Sequence, residues 1–123
     1  MVLTIILARA NLASMNIADF HSSAKEAADL LKALSNDRRL MILCLLSSGE
    51  KTVGELEKSV GLRQSALSQH LARLRRDGLV KTRRESQNIY YALVGDSAVR
   101  LIETLAGLYC PVEVADPAEE GAA

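Results

Sequence analysis

Two groups of residues in this chain have side chains that could do chemistry. One is a pair of thiols, Cys44 and Cys110, the only cysteines present. A thiolate can attack a sulfur or carbon electrophile, close a disulfide or hold a soft metal. The other is a cluster of short polar and cationic side chains between Gln64 and Asn88. Gln64, Ser65, Ser68, Gln69 and His70 can donate to or accept from base edges, while Arg73, Arg83 and Arg84 can neutralise phosphate. Enzyme chemistry finds little support. There is no Cys-x-x-Cys, no Cys beside a His, no arguable Ser/His/Asp set and no Gly-rich phosphate loop. No cofactor is implied.

The charge distribution favours nucleic acid over a small-molecule site. The whole chain is neutral, with 15 basic and 15 acidic residues. From Arg63 to Glu85, however, seven basic residues (Arg63, Arg73, Arg75, Arg76, Lys81, Arg83, Arg84) face only Asp77 and Glu85. A basic stripe confined to one stretch is the electrostatic footprint of a phosphate-binding surface. The bland alternative is a solvated helix face followed by a charged hairpin.

The elements that would position these residues are legible in order. Thr52-Val53-Gly54-Glu55 has the spacing of a reciprocal capping box and opens a short helix ending at Val60-Gly61. A second helix runs from Gln64 to about Arg76 and stops at Asp77-Gly78. At 100° per residue, Leu67, Leu71 and Leu74 share one side. Ser65, Gln69, Ala72, Arg73 and Arg76 share the other, with Ser68 and His70 at the margins. That pair of helices reads as a helix-turn-helix whose second member enters a DNA major groove. Leu79 to Arg84 and Ile89 to Leu93, around Ser86-Gln87-Asn88, read as a basic hairpin, the wing of a winged helix.

Upstream, Ala24, Ala27, Ala28, Leu31 and Leu34 recur at helical spacing between Ala18 and Leu34. Asn36 or Asp37 caps a helix from Arg38 to Ser47 whose Leu40, Met41, Leu43, Cys44 and Leu46 predict a central core position. Ser48 to Lys51 reads as a loop. Asp96 or Ser97 caps a last helix reaching Tyr109, with a broad stripe of Val99, Leu101, Ile102, Leu105, Leu108 and Tyr109. That stripe exceeds what docking one terminal helix needs and predicts a dimer interface.

The fold class expected is therefore mainly α with a β-hairpin wing: four helices, two strands and a fifth helix, dimerising through the first and last helices. At 123 residues the chain is long enough for one core. The expected organisation is an N-terminal extension over 1–17, a DNA-binding and dimerisation domain over 18–110 and an acidic, loose tail over 111–123. Val2 to Ala8 is apolar but too short to span a bilayer and lacks a basic start. The extension is either an added segment packing in a dimer or an upstream start ahead of Met15. Two cysteines are too few for a secreted disulfide scaffold, which indicates a reducing cytoplasm and no membrane.

Three segments carry a resemblance: Leu31 to Leu40 (LKALSNDRRL), Arg63 to Leu71 (RQSALSQHL) and Asp77 to Val80 (DGLV). With the order of elements, they resemble the ArsR/SmtB family of dimeric bacterial repressors over residues 25 to 110. The resemblance implies that Gln64, Ser65, Ser68, Gln69 and His70 contact DNA; Arg73, on the outer face of the same helix, is expected to bind beside them. The resemblance also sets wing residues Arg83, Arg84 and Asn88 against the backbone of an inverted-repeat operator. His70 has a second reading, a neutral boundary residue packing on the hairpin. Many family members sense metals, but no Cys-x-Cys stands at Glu55-Leu56-Glu57 and the last helix has no His. A zinc or thiophilic-metal site needs three or four N or S donors, so no metal site is expected; a metal-responsive repressor using cysteine ligands is the alternative. On its own, Cys44 reads as a small buried filler. The two-cysteine pattern instead resembles the persulfide-sensing, BigR- and SqrR-like subgroup. That implies a disulfide or polysulfide bridge between Cys44 and Cys110 within one protomer, with loss of the operator. Because a direct disulfide holds Cα atoms within roughly 7 Å, a slightly wider pair would favour a longer sulfur chain.

Overall fold

The computed structural model describes residues 16–110, so the extension up to Met15 and the tail from Pro111 lie outside the described residues. The chain divides into two compact units after Leu34. The first contains helix α1 (Ile17–Leu34). The Asn16 side chain accepts from the Ala18 amide at 2.9 Å, and Lys25 pairs with Asp29 one turn on at 3.0 Å. Ala33 and Leu34 are buried. Ala28 and Leu31, expected on the core side, are exposed, Leu31 by 59%.

The second unit contains α2 (Asp37–Leu46), β1 (Lys51–Thr52), α3 (Val53–Val60), α4 (Gln64–Arg76), β2 (Val80–Glu85), β3 (Asn88–Leu93) and α5 (Ser97–Tyr109). Asn36 caps α2, accepting from the amides of Arg38 and Arg39. The capping box of α3 is complete. The Glu55 amide donates to Thr52 Oγ1 at 3.2 Å, and the Thr52 amide donates to Glu55 Oε1 at 3.0 Å. Gly61 ends α3 at φ 74°, a left-handed conformation with no Cβ to clash. Helix α4 closes through a Schellman motif. The Gly78 amide reaches Arg75 O, the Leu79 amide reaches Leu74 O, and Gly78 sits at φ 75°.

Ile42, Leu43, Leu46, Leu56, Val60, Leu67, Leu71, Leu74, Leu79, Val80, Ala98 and Ile102 form the core of this unit. Helix α2 is central, packing against α3, α4, α5 and β3. It is not buried all round: Met41 and Cys44, one turn apart, are exposed. At the start of α5 Asp96 occupies the cap position but its side chain makes no capping bond.

One element is absent from the expectation. Lys51 and Thr52 pair with Tyr91 and Tyr90, so the hairpin is the larger part of a three-stranded antiparallel sheet in the order β1-β3-β2. A two-residue strand has no periodicity to read, and only the partner strand reveals it. The hairpin turn is two residues, Ser86-Gln87, with Asn88 already paired to Glu85.

Candidate nucleic-acid interface and cysteine pair

Helix α4 presents two unlike faces. Leu67, Leu71 and Leu74 are fully buried, which locks the helix axis onto α2 and α3. Gln64, Ser65, Ser68, Gln69 and Ala72 are exposed on the other side. These are short side chains on a helix whose solvent face carries no bulky apolar group, the geometry a major groove accepts. His70 is half-buried, at the margin between the faces. Arg73 is half-buried too, and its Nε donates to Asp77 at 2.8 Å across one helical turn. The helix-turn-helix is braced from behind. Arg38 Nη1, at the start of α2, donates to Val60 O at 3.0 Å and satisfies a carbonyl at the C-terminal end of α3. The sequence offered no signal for that contact, because the two residues are 22 positions apart.

On the hairpin, alternation puts Lys81, Arg83 and Glu85 on one face and Thr82 and Arg84 on the other. Arg84 and Asn88 are exposed. Arg63, Arg75, Lys81 and Arg84 make no ion pair among the described residues. Arg83 is differently placed. It pairs with both Glu50 and Glu85, and its guanidinium lies 4.4 Å from the Tyr90 ring centroid. These bonds push the Arg83 pKa further up, and the Arg83 hydrogen bond holds the Glu50 carboxyl below its ordinary value.

A family model for "Bacterial regulatory protein, arsR family" matches residues 36–82, from the cap of α2 into β2. The "Transcriptional activator HlyU" of Vibrio cholerae is 51% identical over 98 residues, covering 80% of this chain and 91% of that protein. The chain belongs to the arsR family. Its fold matches the solved transcriptional repressor BigR from Xylella fastidiosa with a TM-score of 0.75 and 44% identity, over 78% of this chain and 98% of that one. A Mycobacterium bovis domain described as a homodimeric winged helix-turn-helix matches at TM-score 0.64 and 32% identity, over 78% of this chain and 88% of that one. The chain is thus a DNA-binding transcriptional regulator of the arsR family with a winged helix-turn-helix, and α4 is the second helix of that motif.

The second candidate site is the thiol pair. Both cysteines are free and exposed. Cys44 is therefore not the buried filler its apolar neighbours suggest. It lies on the turn of α2 that faces solvent together with Met41, 47% exposed. Cys110 directly follows α5, its amide donating to Ala106 O at 2.7 Å. Helices α2 and α5 pack against each other, so the two elements carrying the thiols are neighbours. Among the described residues no three His, Cys, Asp or Glu side chains gather in a metal-holding group, and no helix is long and apolar enough to cross a membrane.

Proposed function

We propose that this protein is a homodimeric, cytoplasmic repressor that leaves its operator when reactive sulfur bridges Cys44 and Cys110 within a protomer. The observation carrying this reading is a pair of exposed, free thiols, one on α2 and one directly after α5, two helices that pack together. Cys44 or Cys110, as thiolate, attacks the outer sulfur of a small-molecule persulfide, RSSH, and releases RSH, leaving a protein persulfide. The second thiolate then attacks the sulfur bonded to the first cysteine's Cβ and expels hydrogen sulfide. In sum, two Cys-SH and one RSSH give one disulfide, RSH and hydrogen sulfide. If both cysteines are persulfidated first, loss of one hydrogen sulfide leaves a three-sulfur chain. The electron acceptor in both routes is the persulfide itself.

Exposed apolar side chains support the dimer. Ile17, Phe20 and Leu31 lie open along α1, and Leu108 and Tyr109, 69% and 79% exposed, end α5. The homodimeric Mycobacterium bovis neighbour supports it further. A two-fold dimer presents two equivalent copies of α4, hence an inverted-repeat operator. Gln64, Ser65, Ser68, Gln69 and His70 read base edges, with Arg73 beside them and Arg84 and Asn88 of the wing against the backbone. The Xylella relative is named a repressor and the Vibrio relative an activator.

Bridging ties α2, which supports α3 and α4, to α5, and so biases the dimer toward a geometry that fits DNA poorly. A 100-fold loss of affinity requires only about 2.7 kcal/mol of coupling. The test is mass spectrometry and DNA binding on the same persulfide-treated samples. Cys44→Ser and Cys110→Ser should bind DNA normally and no longer release it. Release by the double Ser variant, or a bridge from Cys44 to the partner subunit, would overturn the reading.

A further inference from the structure

Arg83 looks like one more phosphate contact in a basic wing, yet its surroundings are those of a cation already in use. Its Nε and Nη2 form a fork on the Glu50 carboxylate, with Nε to Oε2 at 3.2 Å, and its Nη1 donates to Glu85. One flat side of the guanidinium stacks on Tyr90. The sheet register creates this arrangement. Arg83 is directly opposite Tyr90, and Tyr90 is directly opposite Thr52, so the three residues form a row across all three strands. Glu50 immediately precedes β1, and Glu85 is two residues along β2 on the same face.

On this face Arg83 and Lys81 stand against Glu50 and Glu85, with Lys81 acting on Glu50 through charge alone, so the cluster is neutral. An approaching phosphate would have to displace a bidentate carboxylate partner of Arg83. A single exposed ion pair is worth little. Here, though, a fork, a second carboxylate and a cation–π contact converge on one guanidinium, joining residues 33 positions apart. The tie also reaches the helix-turn-helix. Thr52, two residues after Glu50, caps α3, the first helix of the helix-turn-helix. Arg84 points to the opposite face of the strand, exposed and without an ion pair.

We propose that Arg83 is a positioning residue: clamped by Glu50 and Glu85 and stacked on Tyr90, it sets the wing relative to the capped start of α3, while Arg84 supplies the phosphate contact. The proposal rests on DNA binding by this chain but is independent of the cysteine switch.

The test measures binding to the duplex that the protein itself selects from a randomised pool, between about 50 and 200 mM salt. Arg84→Ala should lower the slope of log affinity against log salt by about 0.9 per protomer. Arg83→Ala should weaken binding about two- to tenfold, the cost of ordering a loosened wing, and leave the slope unchanged. Glu50→Ala should weaken binding similarly, although removing an acidic group near DNA would by Coulomb attraction alone tighten it. The Arg83/Glu50 double variant should be no weaker than the poorer single one. Arg83→Lys keeps the charge but not the fork, and should resemble Arg83→Ala. All three residues are at the surface, and thermal unfolding run alongside should show folded protein. A slope loss for Arg83→Ala equal to that for Arg84→Ala overturns the proposal. So does tighter binding by Glu50→Ala, or full rescue by Lys. Failure of the wild-type protein to select any duplex removes the DNA-binding premise itself, a result distinguishable from all of these.

Discussion

Helix α4 and the β2–β3 hairpin carry similar local charge, yet they handle it differently. In α4 the leucine face is buried among α2 and α3, and the polar face is left open, with Gln64, Ser65, Ser68 and Gln69 all exposed. Position is supplied by apolar burial, so the polar side chains have no structural duty. In the hairpin only Val80 is fully buried, while Ile89 to Leu93 are half-buried. Polar contacts add to that partial burial, through Arg83 with its two carboxylates and Tyr90. Basic side chains of the same type in adjacent positions, Arg83 and Arg84, thereby end in different situations. A count of local charge overstates the phosphate-binding capacity of a region whose cations also hold it together.

The largest effect is expected on the leucine face of α4. Leu71 is 1% exposed, so Leu71→Ala should destabilise the fold by about 2–5 kcal/mol. Ser68→Ala, on the open face, should change stability by less than about 0.5 kcal/mol. Denaturant unfolding reads both. Equal effects would mean that α4 is not held by its leucine face.

Gln69→Ala comes next, costing about 1–3 kcal/mol on the selected duplex and little on unrelated DNA. Arg84→Ala should instead weaken binding alike across sequences. Competition binding with specific and nonspecific duplexes separates the two, and matching profiles would remove the division between reading head and wing.

A smaller effect is expected at the junction of the two regions. Thr52→Ala breaks the α3 capping box and should cost about 1 kcal/mol in thermal or denaturant unfolding. Hydrogen bonds from Thr52, first its backbone amide and then its hydroxyl, lower the Glu55 pKa in the folded protein. A depressed carboxylate pKa stabilises above the unfolded value, near 4.5, and that contribution disappears as pH falls through the folded pKa. The difference between wild type and Thr52→Ala should therefore shrink below about pH 4.5. A difference that stays constant down to acid would show that the bond from the Thr52 hydroxyl to Glu55 contributes nothing, since the amide bond survives in the variant.

The smallest effect belongs to the wing tip. Ser86 has φ 56°, in the left-handed region where a Cβ costs about 1–2 kcal/mol. Glycine relieves that cost but gives the unfolded chain more freedom. Ser86→Gly should accordingly stabilise by about 0.5 kcal/mol in a thermal melt. A loss instead would show that the Ser86 hydroxyl supports the turn.

Much of this molecule was determined by local sequence. Thr52 and Glu55 three residues apart, Gly61, and Gly78 after the run from Gln64 set the ends of α3 and α4, because caps and left-handed glycines act over a few residues. The leucine spacing on α4 settled which side faces the core for the same reason. Tertiary structure decided what depends on distant partners. It made a strand of Lys51-Thr52 by pairing them with Tyr91 and Tyr90. It exposed Cys44 and Met41 on a helix that is apolar nearly all round, because only one arc of α2 meets its neighbours. It also brought Glu50 to Arg83, a contact across 33 residues that no periodicity encodes. Burial of a given face, and the pairing of a given charge, are properties of what lies opposite, and the chain reveals that only once it has folded.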